Sequence, residues 1–306
     1  MGLFSFVRRI PALPFDLFVV MLISLPALVP LAAPGYLRGH DAVEPPWRSL
    51  EILRALAEGV LFPRWSGDAF YFYGYPIFNF YSPLSLYPAA LMAAAAPVGL
   101  LDATKVSFAL ALLLAGIGAY LLALSMLRHR GAALLAAIFY IYAPATIGNV
   151  YMRGSVTGTW GLGILPFVLL AFLQVWRRPT RISSGIAALL LAILALAHDI
   201  TTAIALGMMV VYAAIHFSFV RDARGLPLAA VAVILGMGAA AFFWMPLFGE
   251  LRFTHVDTIT EDIFSIRYHF VDPLGVGPTR FGGSSATPGP FDLHPAYPYG
   301  SPPFKL

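Results

Sequence analysis

The stretch FDLFVVMLISLPALVPLAAP, residues 15–34, decides the class of fold, because only Asp16 among its residues is charged. A helix of about 20 mainly apolar residues is long enough to cross the hydrocarbon core of a bilayer. Arg8 and Arg9 precede it, as in a signal peptide, but the run is of spanning length and no A-x-A cleavage site is evident. We therefore interpret this stretch as a retained first transmembrane helix.

The composition of the whole chain agrees with a membrane protein. Of the 306 residues, 59% are hydrophobic and 11% charged, with a mean hydropathy of +0.80, whereas soluble domains carry about 25% charged residues. The net charge is +4, and the arginines lie in short clusters between apolar runs, which argues against nucleic-acid binding. The chain has no cysteine, so disulfides, thiolate catalysis and cysteine-ligated metals are excluded.

The apolar runs predict an all-α, polytopic helix bundle with about seven spans plus interfacial helices in the first outer loop. A further run, 84–97, has proline at positions 83, 88 and 97 and is too short to cross, so we predict an interfacial or re-entrant helix there. The predicted spans are 15–34, 103–127, 131–147, 158–176, 183–197, 201–220 and 226–248.

Charge placement predicts the orientation. If 84–97 does not span and the N-terminus is inside, every cationic cluster between spans lies on the inner side, as the positive-inside rule requires. An inverted bundle with eight spans remains an alternative, because charge alone does not exclude it. We predict the first arrangement, in the cell membrane. The inner clusters are Arg8 and Arg9; Arg128 and Arg130; Arg177, Arg178 and Arg181; and Arg221 and Arg224.

This topology predicts a membrane domain, 1–248, and a tail, 249–306, that is rich in proline and glycine, and we expect the chain to be part of a longer protein. The outer surface then receives loop 35–102, loop 148–157, the tip 198–200 and the tail. Within the first loop, the apolar spacing of Trp47, Leu50, Leu53 and Ala57 predicts an amphipathic surface helix over 46–58. The aromatic-rich stretch 62–81 suits the membrane interface, a sugar ring or a lipid chain.

Several motifs resemble those of a known membrane protein family. The run GHDAVEPPWRSLEILRALAEGVLFPRW, 39–65, and YGYPIFNFYSPLSLYP, 73–88, resemble the first outer loop of the 6-pyruvoyl-tetrahydropterin synthase-related membrane proteins. VYMRG at 150–154 and FFWMPLFGE at 242–250 fit the same family. AHDITTA at 197–203 resembles its Thr/Ser-His-Asn segment, with Asp199 where Asn is usual. The resemblance covers residues 15 to about 250.

By fold, that family is grouped with the type C membrane glycosyltransferases. The resemblance implies a glycosyltransferase that moves a hexose or pentose from a polyprenyl-phosphate donor to an unknown acceptor on the extracytoplasmic face. The family's catalytic aspartate, a general base, corresponds to Asp41. Some members hold a divalent metal through a second acidic motif, but 148–157 carries no carboxylate, so no cofactor is firmly implied.

Each candidate site residue also has a structural interpretation. Asp41 is a general base or a helix cap that forms a capping box with Glu44, although Pro45 disfavours the cap. His40 is a substrate donor or a solvated loop histidine. Arg153 grips the donor's lipid phosphate or reaches to lipid headgroups.

The remaining candidates lie in the later loops and the tail. His198 binds phosphate or orients Asp41, whereas Asp199 caps a helix that starts at Thr201. A metal shared by the two His-Asp pairs is a further alternative, but no ligand spacing supports it. Arg64 and Glu250 are additional substrate-binding candidates.

Two alternatives to the enzyme remain open. A lipid or sugar transporter requires ionisable residues in the middle of its spans, and these spans are nearly free of charge. A non-catalytic envelope assembly factor keeps the fold and lacks the chemistry, and the missing second acidic motif favours it. Both share the bilayer as a partner.

Overall fold

A computed structural model describes residues 13–220 and 223–254, and all regular secondary structure among them is helical. The described contacts divide the chain into two compact units, Met1–Leu247 and Phe248–Leu306. The tail beyond residue 254 and the cationic residues Arg8, Arg9 and Arg221 lie outside the described residues. The helices of nine or more residues are α1 (Leu13–Leu28), α2 (Glu44–Ala57), α3 (Tyr87–Ala95), α4 (Leu100–Leu127), α5 (Arg130–Ile141), α6 (Val156–Arg177), α7 (Arg181–Ala197), α8 (Asp199–Val220), α9 (Leu226–Ala239) and α10 (Ala241–Glu250).

These helices confirm the predicted all-α membrane bundle. Among the described residues, five helical segments are long and apolar enough to cross a bilayer, and the bent pair α9 and α10, which turns by 70°, provides a sixth candidate. The predicted span 183–197 corresponds to α7, whose 17 residues lie at the short limit for a crossing. The five segments are Leu13–Ala32, Leu100–Leu127, Arg130–Arg153, Val156–Arg177 and Asp199–Ser218.

The third candidate span, Arg130–Arg153, is longer than the predicted span 131–147. After α5, the chain continues through a short helix, Pro144–Gly148, and a π-helical turn, Asn149–Arg153. Most of the predicted outer loop 148–157 is therefore helical, and only Gly154 and Ser155 separate this segment from α6. Gly154 has φ +71°, a left-handed conformation that permits the abrupt change of direction.

The stretch 84–97 does not cross the bundle. Its helical part, Leu84–Ala95, has 12 residues, which at 1.5 Å per residue is well short of the hydrocarbon thickness of about 30 Å. The Lys105 ammonium, in the second turn of α4, donates hydrogen bonds to the carbonyls of Ala33 and Gly35 at 3.2 and 3.1 Å. Since α1 ends where α4 begins, the chain between them leaves and re-enters at the same end of the bundle.

The bundle is centred on α4 and α6, which pack on each other and on their neighbours in sequence. One apolar cluster joins α6 to α7, α8 and α9 around Val168, Val175 and Leu191. A second cluster joins α1, α4 and α5 around Val20 and Tyr120. These two clusters hold consecutive helices against each other. Their packing determines which loops lie together at each end of the bundle.

Helix α2 buries two of its charged residues, Arg48 and Glu51. The predicted apolar stripe, Trp47, Leu50, Leu53 and Ala57, is half-buried or exposed, whereas Arg48, Ser49, Glu51 and Ile52 are buried. Ile52 joins Phe78, Leu86 and Ala90 in a small core between α2 and α3. Leu53 of the stripe also packs against this core. A helix whose apolar stripe is only partly covered by protein is suited to a membrane interface, where lipid covers the rest.

Asp16, in the first turn of α1, belongs to the end of the bundle opposite this loop. It is buried, accepts a hydrogen bond from the Tyr120 hydroxyl at 2.5 Å, and binds the Arg130 guanidinium through both carboxylate oxygens. Its position in the first turn also suits the helix dipole. Asp16 therefore has a structural role, because it joins α1 to α5.

Candidate functional site

The first loop and the turn before α6 are joined by main-chain hydrogen bonds. The His40 N–H donates to the Met152 carbonyl at 3.1 Å, and the Asp41 N–H donates to the Arg153 carbonyl at 2.6 Å. Gly39 and Gly154 allow this close approach. A Cβ built at Gly39 would lie 2.7 Å from the Arg153 carbonyl, and one at Gly154 would lie 2.7 Å from the Ala42 Cα. The backbone around Asp41 is therefore held in place independently of its side chain.

The Asp41 carboxylate faces the Arg153 guanidinium, with 3.2 Å between Oδ2 and Nη2. The Asp41 side chain is 32% exposed and that of Arg153 is 55% exposed, so solvent or a ligand can reach both groups. A partly exposed pair of this kind contributes little to stability. It is thus better suited to exchange partners than to hold the fold.

The structure excludes the capping interpretation of Asp41. Helix α2 begins at Glu44, and its N-cap is Val43, which makes no side-chain capping hydrogen bond. The Asp41 main-chain carbonyl accepts a hydrogen bond from the Glu44 N–H at 3.1 Å, but its carboxylate turns to Arg153. The alternative in which Asp41 forms a capping box with Glu44 is therefore wrong, because the helix starts two residues later than a cap at Asp41 needs.

His198 belongs to the same end of the bundle, where the nearby positive charge of Arg153 acts on its imidazole. The pKa of His198 is lowered, mainly because burial disfavours the imidazolium; the Asp199 carboxylate opposes this shift and Arg153 adds to it. Helix α6 passes close by at Gly161, where an added Cβ would lie 2.8 Å from the His198 Cβ. The tertiary structure thus brings Asp41, Arg153 and His198 into one neighbourhood.

His198, and not Asp199, caps the helix that follows. Nδ1 of His198 accepts a hydrogen bond from the Thr201 N–H at 3.2 Å and lies 2.7 Å from the Thr201 hydroxyl oxygen. Since α8 already begins at Asp199, the prediction that Asp199 caps a helix starting at Thr201 is wrong. With Nδ1 accepting, the neutral imidazole carries its proton on Nε2, which is the nitrogen left to meet a ligand.

A further arginine, Arg48, is absent from the predicted site and lies in the second turn of α2. Arg48 binds Glu44 through Nη2 at 2.7 Å, and its guanidinium carbon lies 3.6 Å from the centre of the Tyr81 ring. The Tyr81 hydroxyl accepts a hydrogen bond from Thr157 at 3.2 Å, and Thr157 lies beside Ser155 at the start of α6. These contacts link α2 to the turn that carries Arg153.

The part of the loop that is richest in aromatic residues forms an exposed tip. Ser66 and Tyr75 exchange main-chain hydrogen bonds of 2.8 and 2.9 Å across it. Between them, Tyr71, Phe72 and Tyr73 are 90%, 81% and 87% exposed. Three consecutive aromatic side chains with this exposure offer flat apolar surfaces to a lipid interface or a sugar ring.

The other candidates have different surroundings. Arg64 donates hydrogen bonds to the Asn79 side-chain oxygen at 3.1 Å and to the Phe242 carbonyl at 2.9 Å, which gives it a structural role in joining distant segments. His40 is exposed beside Asp41 in the linked loop. Glu250 ends α10 and belongs to the second compact unit.

No group of three or more His, Asp or Glu side chains suited to a metal ion converges within residues 13–220 and 223–254. The donors around Asp41 are instead cationic or neutral. They suit contact with an anion and do not form a cation cage.

Sequence reasoning named Asp41, Arg153 and His198 as candidates, and these remain predictions; it did not include Arg48, Tyr81 and Thr157, whose contacts join α2 to the turn before α6. Arg48 looks like one member of an alternating series of charges on a surface helix, and that pattern predicts a solvated side chain. The sequence of α2 contains a pattern that could have predicted a buried Arg48, because its apolar stripe includes Trp47 and Leu50. On a helix at a membrane interface, such a stripe faces lipid and turns the charged side toward the protein.

Comparison with known proteins gives one match. The family described as 6-pyruvoyl-tetrahydropterin synthase related domain; membrane protein matches residues 78–275. The matched range includes Tyr81, Arg153 and His198 and begins after Asp41 and Arg48. No curated protein and no solved structure matches the chain.

Proposed function

Because the chain belongs to the 6-pyruvoyl-tetrahydropterin synthase related family of membrane proteins, we propose that it is a membrane glycosyltransferase. It transfers a sugar from a polyprenyl-phosphate donor to an acceptor hydroxyl on the extracytoplasmic face. Asp41 is the general base and Arg153 binds the phosphate of the donor. The bilayer, which holds both the protein and the lipid-linked donor, is its obligatory partner.

The observation that carries this proposal is the Asp41–Arg153 pair. A carboxylate and a guanidinium lie 3.2 Å apart, partly exposed, on main chain that is fixed by its own hydrogen bonds. Transfer from a phosphate donor requires a base for the acceptor and a cation for the leaving group. This pair supplies both within one contact distance.

The reaction follows from these two groups. The donor phosphate draws the Arg153 guanidinium away from Asp41, which leaves the carboxylate free to accept a proton. As Asp41 takes the proton of the acceptor hydroxyl, that oxygen bonds to the anomeric carbon. The bond from this carbon to the phosphate oxygen breaks, and its electron pair leaves with the polyprenyl phosphate. One displacement inverts the anomeric configuration.

In this proposal His198 assists at the phosphate. Its lowered pKa keeps the imidazole neutral at pH 7, and Nε2–H is then a hydrogen-bond donor without a charge. The exposed tip at Tyr71, Phe72 and Tyr73 offers stacking surfaces for the sugar or the prenyl chain. The opposite end of the bundle is rich in arginine and is predicted to lie inside. This site is therefore predicted to lie outside.

The test uses the purified chain in nanodiscs. It supplies radiolabelled polyprenyl-phosphate hexoses and pentoses as donors and an envelope extract as the source of acceptor. The released polyprenyl phosphate is measured. Asp41→Asn keeps the size of the side chain and an acceptor for Arg153, so the fold is retained. Loss of a general base should lower the rate by about 10²–10⁴-fold. Glu58→Gln, an exposed change at the end of α2, is the matched control. Full activity in Asp41→Asn contradicts the proposal.

A non-catalytic assembly or transport protein is the second candidate, and one observation favours it. The Asp41 carboxylate already has an arginine partner, and a structural ion pair of this kind needs no reaction. This candidate predicts that the wild type releases no polyprenyl phosphate from any donor in the panel. It also predicts that Asp41→Asn changes only stability or complex formation.

A further inference from the structure

Arg48 is a buried cation with unused hydrogen-bond donors. The residue is 6% exposed, and its Nε and Nη1 atoms have no hydrogen-bond partner among the described residues. These two nitrogens carry three of the five N–H groups of a guanidinium. Only Nη2 is engaged, by Glu44, and Glu44 is itself 47% exposed.

A protein rarely keeps such a group without a use for it. Buried polar groups are almost always paired, and an unpaired donor on a charged group is especially unfavourable. The ring of Tyr81 balances part of the charge, but an aromatic face accepts no strong hydrogen bond from the guanidinium edges. The unused N–H groups therefore indicate a partner other than the described residues.

Two buried hydroxyls of the facing segment also lack partners. The Oγ atoms of Ser82 and Ser85 are buried without a hydrogen bond among the described residues. The segment that carries them is held against α2 at both ends, by Tyr81 under Arg48 and by a 3.3 Å hydrogen bond from the Ser49 hydroxyl to the Leu86 carbonyl. Arg48 and the two serines thus belong to two segments that pack on each other.

The chemistry of these groups specifies the ligand class. A guanidinium with two hydroxyls offers several N–H and O–H donors around one positive charge, the set that binds a phosphate oxyanion. A metal cation is disfavoured by the same positive charge. The half-exposed Glu44 covers Nη2 and is the group that an incoming anion would replace.

We infer that Arg48, Ser82 and Ser85 form a phosphate-binding site that receives the phosphate of a polyprenyl phosphate. The inference deepens the proposed function and rests on it for the identity of the lipid. A polyprenyl-phosphate sugar has one negative charge on its phosphate, and the departing polyprenyl phosphate gains a second. Arg153 and Arg48 together supply two cations for this product, whereas Arg153 alone supplies one.

The test measures binding to the purified full-length chain in detergent by microscale thermophoresis. The probes are a short-chain polyprenyl phosphate, the matching polyprenol and inorganic phosphate. The polyprenyl phosphate should bind and the polyprenol should bind much more weakly. Preference for the phosphorylated lipid over inorganic phosphate identifies a lipid ligand, and equal binding of the two phosphates identifies free phosphate. Binding of neither phosphate overturns the inference.

Arg48→Gln should weaken binding of polyprenyl phosphate by roughly tenfold to a hundredfold, the effect of removing a charge-assisted contact. Arg54→Gln is the matched control on the same helix, since the Arg54 side chain is half-exposed and pairs with Glu51 and Asp68. Its binding should stay within about twofold of wild type, because the Arg54 guanidinium is already paired with carboxylates of the chain. Unchanged binding in a folded Arg48→Gln protein overturns the inference.

A second variant keeps the inference testable if Arg48→Gln does not fold. The double change Ser82→Ala with Ser85→Ala removes two unpaired buried hydroxyls, which by themselves only destabilise a structure. If these hydroxyls have no ligand, the double variant is at least as stable as wild type and binds phosphate equally well. The inference instead predicts several-fold weaker binding with folding intact.

The two proposals fail in different ways. Asp41→Asn should lose turnover yet still bind polyprenyl phosphate, because the phosphate contacts are cationic. If Asp41→Asn stays active while Arg48→Gln loses binding, the general base is wrong and the phosphate site stands. If Asp41→Asn is inactive while folded Arg48→Gln binds normally, only the Arg48 site is wrong.

Discussion

Asp41 contacts Arg153 twice, once through the main chain and once through the side chain, although the two residues are 112 positions apart. The Asp41 N–H donates to the Arg153 carbonyl at 2.6 Å, and the Arg153 Nη2 donates to the Asp41 carboxylate at 3.2 Å. The first contact fixes where the carboxylate stands. The second can therefore open without moving the loop, which is what a ligand-exchanging pair needs.

Gly154→Ala should destabilise the site. The residue has φ +71°, and its new Cβ would lie 2.7 Å from the Ala42 Cα. Strain of this kind costs about 1–3 kcal/mol, and we also expect activity to fall because Asp41 shifts. Thermal unfolding in detergent and turnover measure the two effects.

The matched control is Gly207→Ala in α8, where an added Cβ meets nothing within 4 Å. It should leave activity unchanged and be neutral or stabilising by up to about 1 kcal/mol, because alanine favours helix. Equal effects of the two changes would argue against the close approach at Gly154.

Asp16→Asn should lower the melting temperature, because it weakens the two-point contact of a buried carboxylate with Arg130 and its hydrogen bond from Tyr120. The comparison is Asp102→Asn, which weakens the ion pair between Asp102 and Lys105. The Asp102 side chain is 64% exposed. The exposed pair should matter less. Equal melting temperatures for the two variants would show that the Asp16 tie is not structural.

His198 should make the protein acid-sensitive. Burial lowers its pKa in the folded state, so its contribution to stability is complete above the unfolded value, about 6.5, and is lost as pH falls below that through the folded pKa. His198→Asn retains an oxygen that can accept from Thr201 but does not titrate.

The measurement is thermal unfolding at pH 7.5 and at pH 5. Between pH 7.5 and pH 5, the melting temperature of the wild type should fall by more than that of His198→Asn. A parallel loss in both proteins would assign the acid sensitivity to other groups.

The orientation of the bundle can be tested by cysteine labelling, since the chain has no native cysteine. Val43→Cys reports beside Asp41 because Val43 is 75% exposed, whereas Ala42 is 1% exposed and unsuitable. Pro179→Cys reports from the opposite end, between α6 and α7. An impermeant maleimide should label the first in intact cells and the second only after permeabilisation. The reverse pattern would put Asp41 inside and remove the basis for an extracytoplasmic reaction.

The sequence by itself determined the all-α membrane architecture. It also located the short helix at 84–97, which does not cross, and the surface helix α2, whose observed start at Glu44 lies two residues before the predicted one. These features depend on local sums of hydrophobicity and on the length of each apolar run. A bilayer imposes both on the chain whatever the rest of the fold does.

The tertiary structure decided which side chains meet. Asp41 and Arg153 come together because the packing of α4, α5 and α6 sets the first loop against the turn at Gly154, and no local pattern reports a contact between residues so far apart. Arg48 turns inward because the other side of α2 carries the apolar stripe. The sequence thus supplies the groups, and the long-range packing of the bundle chooses their partners.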